Sequence, residues 1–289
     1  MSQWSGKSRG GGLGYTLFFL FLKYGGLFFA YTVLRFVALY FLVSAPKAVK
    51  NLYGYFKNKQ GYSVYRSAVS IYLNFVLLGE SIIDRMAVIM GMTDKYHFNF
   101  KDEPVLKKAV ENENGCLMVS AHIGNWQVAQ AFLHRFDRKK VNVVMVDVEN
   151  EKIKQFIKNS VGRENVNIIV VKEGLDYLID LVNAFRNKEV VCLHGDRFVE
   201  GSQVAEIEFF SKKADFPLGP FTLAKKFKVP VSFTFVMKTG RTEYSFYATE
   251  GKIYDTEAEM MKDYVTALED MLKKYPLQWF NYHDFWKEQ

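Results

Sequence analysis

The sequence predicts an α/β protein: a single domain with a mostly parallel sheet covered by helices, preceded by an apolar, membrane-associated helical segment at the amino terminus. Three observations carry that expectation. Beyond residue 100, short apolar runs alternate with helical stretches of roughly ten to fifteen residues. The runs are continuously apolar, as strands covered on both faces are, rather than alternating. Residues 13–45 are almost unbroken apolar and aromatic side chains, with Lys23 and Arg35 as their charges.

The elements follow in chain order. Residues 1–12, with "GKSRGGGLG", read as a disordered leader. Residues 13–45 form a transmembrane or interfacial helical segment, because a helix rising about 1.5 Å per residue over this length exceeds a hydrocarbon core of about 30 Å. The two charges leave two arrangements. Either one helix spans with Lys23 snorkelling to an interface, or two shorter pieces lie among the headgroups. A buried helical hairpin is the alternative, but eleven aromatics between residues 13 and 45 favour an interfacial belt. A cleaved signal peptide fits poorly, since no small-x-small site follows a short apolar core. The basic flank "KAVKNLYGYFKNK" (Lys47, Lys50, Lys57, Lys59) points to the cytoplasmic side, an asymmetry that Lys7 and Arg9 weaken.

Residues 46–289 read as the α/β body. Apolar residues at three- and four-residue spacing predict a helix over 62–92. "GCLMVSA" (115–121), "VNVVMVD" (141–147), "VNIIVV" (166–171) and "EVVCLHGD" (189–196) are strand candidates. "VPVSFTFVMK" (229–238) and "EYSFYATEGKI" (243–253) adjoin across "TGRT", which is hairpin spacing. An amphipathic helix closes the body over about 256–275.

Composition narrows the partners. The formal charge is +7, from 38 basic and 31 acidic side chains, which suits an anionic membrane surface or an anionic substrate. Nucleic acid is not expected, because no RNP, zinc-finger or basic-helix motif is present. Phe (26) and Tyr (17) supply most of a 16% aromatic fraction, which points to an apolar solvent or ligand. Cys116 and Cys192 lie within apolar runs without a CxxC partner, as buried free thiols of a reducing compartment do.

Chemistry concentrates where strands end. His122 follows "GCLMVSA" directly, and ligands of α/β sheets collect outside the carboxyl ends of strands. Gly124 permits close backbone approach, Asn125 is a good N-cap, and the N–H groups of a helix start favour an anion. An imidazole beside such donors is the minimum equipment for acyl transfer to an alcohol. The plainer reading is a histidine that only satisfies local backbone. "HGDRFVEGSQ" (194–203) brings His194, Asp196 and Arg197 to the end of another strand, either as a site or as a salt-bridged loop. In "FFSKKADFPLGPFTLAKKFKVPV" an apolar pair precedes a basic turn and a helix start marked by Pro and Gly. Lys212 and Lys213 there either grip a phosphate or face solvent.

Taken together, these residues resemble the lipid A late acyltransferases of the lysophospholipid acyltransferase-like superfamily. The likeness runs from the apolar amino terminus through "NFVLLGESIIDRM" with Glu80, "HIGNWQ" and "GDRFVEGS…FFSKKADFPLGPFTLAKKFKVPV" to "YPLQWFNYHDFW". That last stretch is similar to the family's proline–x–glutamine–tryptophan ending, here Pro276, Gln278 and Trp279. The resemblance implies a membrane-associated transferase that moves a fatty acyl group from an acyl thioester, on acyl carrier protein or CoA, to a hydroxyl of a lipid A-type glycolipid. It implies a bacterial inner-membrane location with the catalytic domain cytoplasmic, and neither metal nor organic cofactor. Transfer to another lipid or a polyene pigment, or lipid binding without catalysis, is the alternative.

The family motif is a histidine, four residues, then an acid. His122 matches the base, but position 127 is Gln127, an amide that can hold an imidazole tautomer without stabilising an imidazolium. Three explanations follow. The carboxylate comes from elsewhere, with Asp196 the leading candidate; the acceptor needs less activation than a sugar hydroxyl; or the protein binds lipid without turning it over. In the first, His122 takes the hydroxyl proton and Asp196 orients His122 or Arg197. Backbone N–H groups near Gly124 and Asn125, or Arg197, hold the oxyanion.

Overall fold

The computed structural model describes residues 11–126, 128, 139–146, 166–171, 176–198 and 201–286, of which 11–23 are described as backbone alone. Residues 1–10 of the expected leader lie outside the described residues. The chain divides into two compact units, Met1–His97 with Glu269–Gln289, and Phe98–Leu268.

The first unit is helical. Helix α1 (Gly11–Ser44) is broken at Gly26, whose φ of 70° and ψ of −178° leave helical space, so the apolar segment is two helical pieces in series. Only glycine adopts that conformation without steric cost. The stretch Tyr24–Ser44, which includes the break, is long and apolar enough to cross a membrane, and the same is true of Val64–Val88 in helix α3 (Val64–Ile89). Helix α2 (Pro46–Gly54) and a π-helical turn (Tyr55–Lys59) connect them.

Ser63 caps α3 by accepting the Arg66 N–H. On α1, Ala30, Leu34 and Ala38 form a buried stripe at four-residue spacing. Leu34 lies so close to Gly79 of α3 that a Cβ there would come within 2.0 Å of it. The other side of α1 exposes Tyr24, Phe28, Phe36, Tyr40 and Val43.

The carboxyl-terminal segment belongs to this unit. The Asn74 amide of α3 donates to the carbonyls of Leu277 and Trp279, each at 2.9 Å, and its oxygen accepts from the Tyr282 hydroxyl at 3.0 Å. Trp279 is buried with its ring centroid 4.8 Å from Tyr55 and 5.3 Å from Phe285. Aromatic pairs of this kind add about 0.5–1.5 kcal/mol each beyond area burial. The "PLQW" ending thus clamps the helices of its own unit.

The second unit is built on a sheet. Among the described residues, seven strands form it: β1 (His97–Asn99), β2 (Cys116–Ser120), β3 (Val141–Val146), β4 (Val166–Val171), β5 (Val190–His194), β8 (Val231–Lys238) and β9 (Glu243–Ala248). Their order is β1-β9-β8-β2-β5-β3-β4. The run from β8 to β4 is parallel, and β9 returns antiparallel to β8 across the expected hairpin. Helices α4 (Glu103–Val110), α5 (Asp176–Arg186), α6 (Gly219–Phe227) and α7 (Glu257–Lys274) accompany the strands. The observed architecture is therefore α/β, a mostly parallel sheet with accompanying helices in one unit and apolar helices near the amino terminus in the other. β2 is buried along its whole length, which is why its sequence is continuously apolar.

One segment differs from expectation. Lys212 and Lys213 do not form a basic turn; they begin β7 (Lys212–Pro217), paired antiparallel with β6 (Val204–Phe209) in a separate two-stranded sheet. The turn is Phe210–Ser211, both residues at positive φ. The "VAEIEF" of β6 alternates apolar and acidic side chains, and its register sets Glu206 opposite Asp215 and Glu208 opposite Lys213.

Candidate active site

Parallel register brings the site together. β2 and β5 are neighbours, with Ser120 opposite His194. Counting two residues onward along each strand places His122 beside Asp196 at the carboxyl edge. The chain then leaves the two strands in opposite directions along the sheet, β2 toward β3 and β5 toward β8. Open α/β sheets bind ligands at such reversals.

Asp196 contacts His122 twice. Its Oδ1 lies 2.8 Å from His122 Nδ1, and its Oδ2 accepts the His122 backbone N–H at 3.0 Å. The carboxylate is almost wholly buried, whereas 30% of the His122 side chain is exposed. Burial alone raises a carboxyl, but the His122 ring and its hydrogen bond, with Arg197 and His194, outweigh it and hold Asp196 well below the usual carboxylate range. An ionised carboxylate only accepts, so the hydrogen shared with His122 sits on Nδ1 and the lone pair is left on Nε2. Low-dielectric surroundings lower the His122 pKa, Asp196 pulls it up, Arg197 pushes it down, and the net result is below the ordinary histidine value. The ring is therefore a neutral base at neutral pH.

His194 Nδ1 lies 3.3 Å from His122 Nε2, with the rings 4.3 Å apart and inclined at 73°. Trp126 packs edge-on against His194 at 4.6 Å. Burial, and then the neighbouring His122, push the His194 pKa well below its usual value. His194 was legible at the strand end but not as a partner of His122; its place in "HGD", two residues before Asp196, was the available signal.

Backbone packing holds the histidine turn in place. Gly124 has φ +59°, and a Cβ there would lie 2.0 Å from the Val236 carbonyl oxygen, so β8 leaves room for hydrogen alone. That carbonyl accepts the Asn125 N–H at 2.7 Å, which corrects the expectation that this N–H is aimed at an oxyanion. The Asn125 side chain donates to the Tyr244 hydroxyl at 3.2 Å. On the β5 side, Gly195 donates its N–H to the Ser120 carbonyl at 2.9 Å, and the Tyr264 hydroxyl donates to the same oxygen at 2.9 Å.

Arg197 acts electrostatically on His122, His194 and Asp196 alike. Lys213 pairs with Glu206 at 2.7 Å on the β6–β7 hairpin, and Lys212 is exposed there. Gln127 lies outside the described residues. Cys116 is buried, and burial pushes the Cys192 thiol up to about 12, so neither is a thiolate nucleophile at neutral pH.

Such a site can take a proton at Nε2, keep the resulting imidazolium paired with Asp196, and stabilise nearby negative charge through Arg197. The family model described as bacterial lipid A biosynthesis acyltransferase matches residues 74–288, well over half of the chain. No curated protein matches it.

Proposed function

We propose a mechanism for this chain from the premise that it belongs to the bacterial lipid A biosynthesis acyltransferase family and is an acyltransferase. In our reading it moves a fatty acyl group from a thioester, on acyl carrier protein or CoA, to a hydroxyl of a membrane glycolipid. The observation that carries the mechanism is the double contact of Asp196 with His122.

His122 Nε2 takes the acceptor hydroxyl proton as the oxygen attacks the thioester carbonyl. Asp196 keeps the imidazole in the productive tautomer and stabilises the imidazolium. Arg197 offsets the charge on the tetrahedral oxyanion. Collapse breaks the carbon–sulfur bond, and the departing thiolate takes the proton from His122. Acyl oxygen ester and free thiol balance the step without a covalent enzyme intermediate. Asp196, from a neighbouring strand, supplies the carboxylate that Gln127 lacks.

The exposed aromatic stripe of α1 supports attachment to a bilayer, since Tyr and Phe partition to the headgroup boundary. The basic flank from Lys47 to Lys59 favours the cytoplasmic leaflet of the inner membrane. The deciding experiment incubates purified protein with labelled acyl carrier protein, or acyl-CoA, and a membrane extract. Acylated glycolipid supports the reading. Free fatty acid would identify a thioesterase, and no product would identify a lipid-binding protein. Lipid mass spectrometry of cells with and without the gene then names the acceptor and the acyl chain.

A further inference from the structure

We infer that His122 Nε2 and His194 Nδ1 form a chelating pair for a borderline-soft divalent cation of the Zn2+ class, and that its binding silences acyl transfer. The binding half stands on geometry alone; the silencing half rests on the reading of His122 as the base.

The two nitrogens are 3.3 Å apart. An ion about 2.0–2.1 Å from each would subtend roughly 104–111° between them, the tetrahedral angle Zn2+ prefers. The other His122 nitrogen donates to Asp196, the arrangement that fixes the tautomer and raises the basicity of a metal-bound imidazole. His194 is held against Trp126 and needs only to carry its proton on Nε2 instead of Nδ1. Ligand atoms of His122, His194 and Asp196 all lie within 4.8 Å of one another.

Both Asp196 oxygens are engaged by His122, so the described residues supply two neutral nitrogens and water completes the shell. Two imidazoles select Zn2+ over Mg2+ or Ca2+, which prefer oxygen. A pair without a third protein ligand among the described residues suits reversible occupancy rather than a permanent centre. Once bound, the ion occupies the lone pair that would accept the hydroxyl proton. The partly exposed His122 side chain leaves a route for the ion.

The test uses the full chain in detergent, stripped with EDTA and titrated with Zn2+ by calorimetry, with X-ray absorption to count imidazole ligands. The expected result is one Zn2+ per chain on two imidazoles, undisturbed by excess Mg2+. Affinity should fall about 10–100-fold in Asp196→Asn. Binding should be lost in both His194→Leu and His194→Gln, the second keeping a polar side chain should the first misfold. In a parallel acyl-transfer assay, inhibition should track occupancy and reverse with EDTA. No binding, unchanged binding in both His194 variants, or a loaded protein that still transfers at full rate would each overturn the inference. Because binding is read without turnover, failure of the transferase reading and failure of the metal site are separable.

Discussion

Asp196 grips His122 at two points, ring and backbone, from a position 74 residues further along the chain. The ring contact sets the tautomer; the backbone contact sets where the ring stands. Exchanging the carboxylate for an amide therefore disturbs both orientation and charge. Asp196→Asn should lower kcat by about 10²–10⁴-fold with a much smaller change in KM, the range seen when a general base loses its support. Initial rates against acceptor concentration, with circular dichroism to verify folding, give the answer. An unaltered kcat would remove Asp196 from the mechanism.

Gln127→Glu should not raise the rate. His122 Nδ1 is already occupied by Asp196, so a second carboxylate has no vacant ring nitrogen to hold. Single-turnover transfer compared side by side with the unmodified chain checks this. A tenfold or larger gain, about 1.4 kcal/mol of transition-state stabilisation, would mean that Asp196 is not the helper.

The pH dependence follows from the lowered His122 pKa. Neutral imidazole is the active form, so kcat/KM should be flat through neutrality and fall only on the acid side of about 6.5. Stability shares the sign. Between the folded pKa and about 6.5 the unfolded chain binds more protons than the native one, so stability rises with pH there and is lost as pH falls through it. His194, lowered further, adds to the same trend. A rate profile with its midpoint above 7, or acid-stabilised thermal unfolding, would contradict the assignment.

Gly124→Ala should be costly although it adds a single methyl group. The new Cβ would meet the Val236 carbonyl at 2.0 Å, and φ of +59° is unfavourable for alanine by about 1–2 kcal/mol before any clash is counted. We expect a loss of about 2 kcal/mol or more by thermal or denaturant unfolding, together with reduced activity because the turn carries His122. A stability change under about 0.5 kcal/mol, the range of neutral surface substitutions, would show that β8 yields there.

Much of the fold was legible locally. β2 is a continuous apolar run because it is buried along its whole length, β3, β4 and β5 stand out as apolar runs of the same kind, and β8 and β9 announce themselves by a glycine-bearing turn. The β6–β7 hairpin was missed because Phe210 and Ser211 make its turn at positive φ without the glycine or asparagine that normally marks one. β1 is three residues long, too short for any periodicity to register. In α1, the Gly25–Gly26 pair was visible, but a break at φ 70° became evident only from the backbone.

At the site, the division falls between identity and company. The chain order alone established that a histidine ends one strand, that His194, Asp196 and Arg197 end another, and that position 127 carries an amide; covalent neighbours and apolar periodicity are local properties. Which of those groups share a hydrogen bond depends on strand order and parallel register, and both are long-range outcomes of packing. The tertiary structure alone decided that Ser120 pairs with His194, and so that Asp196 and a second imidazole close around His122.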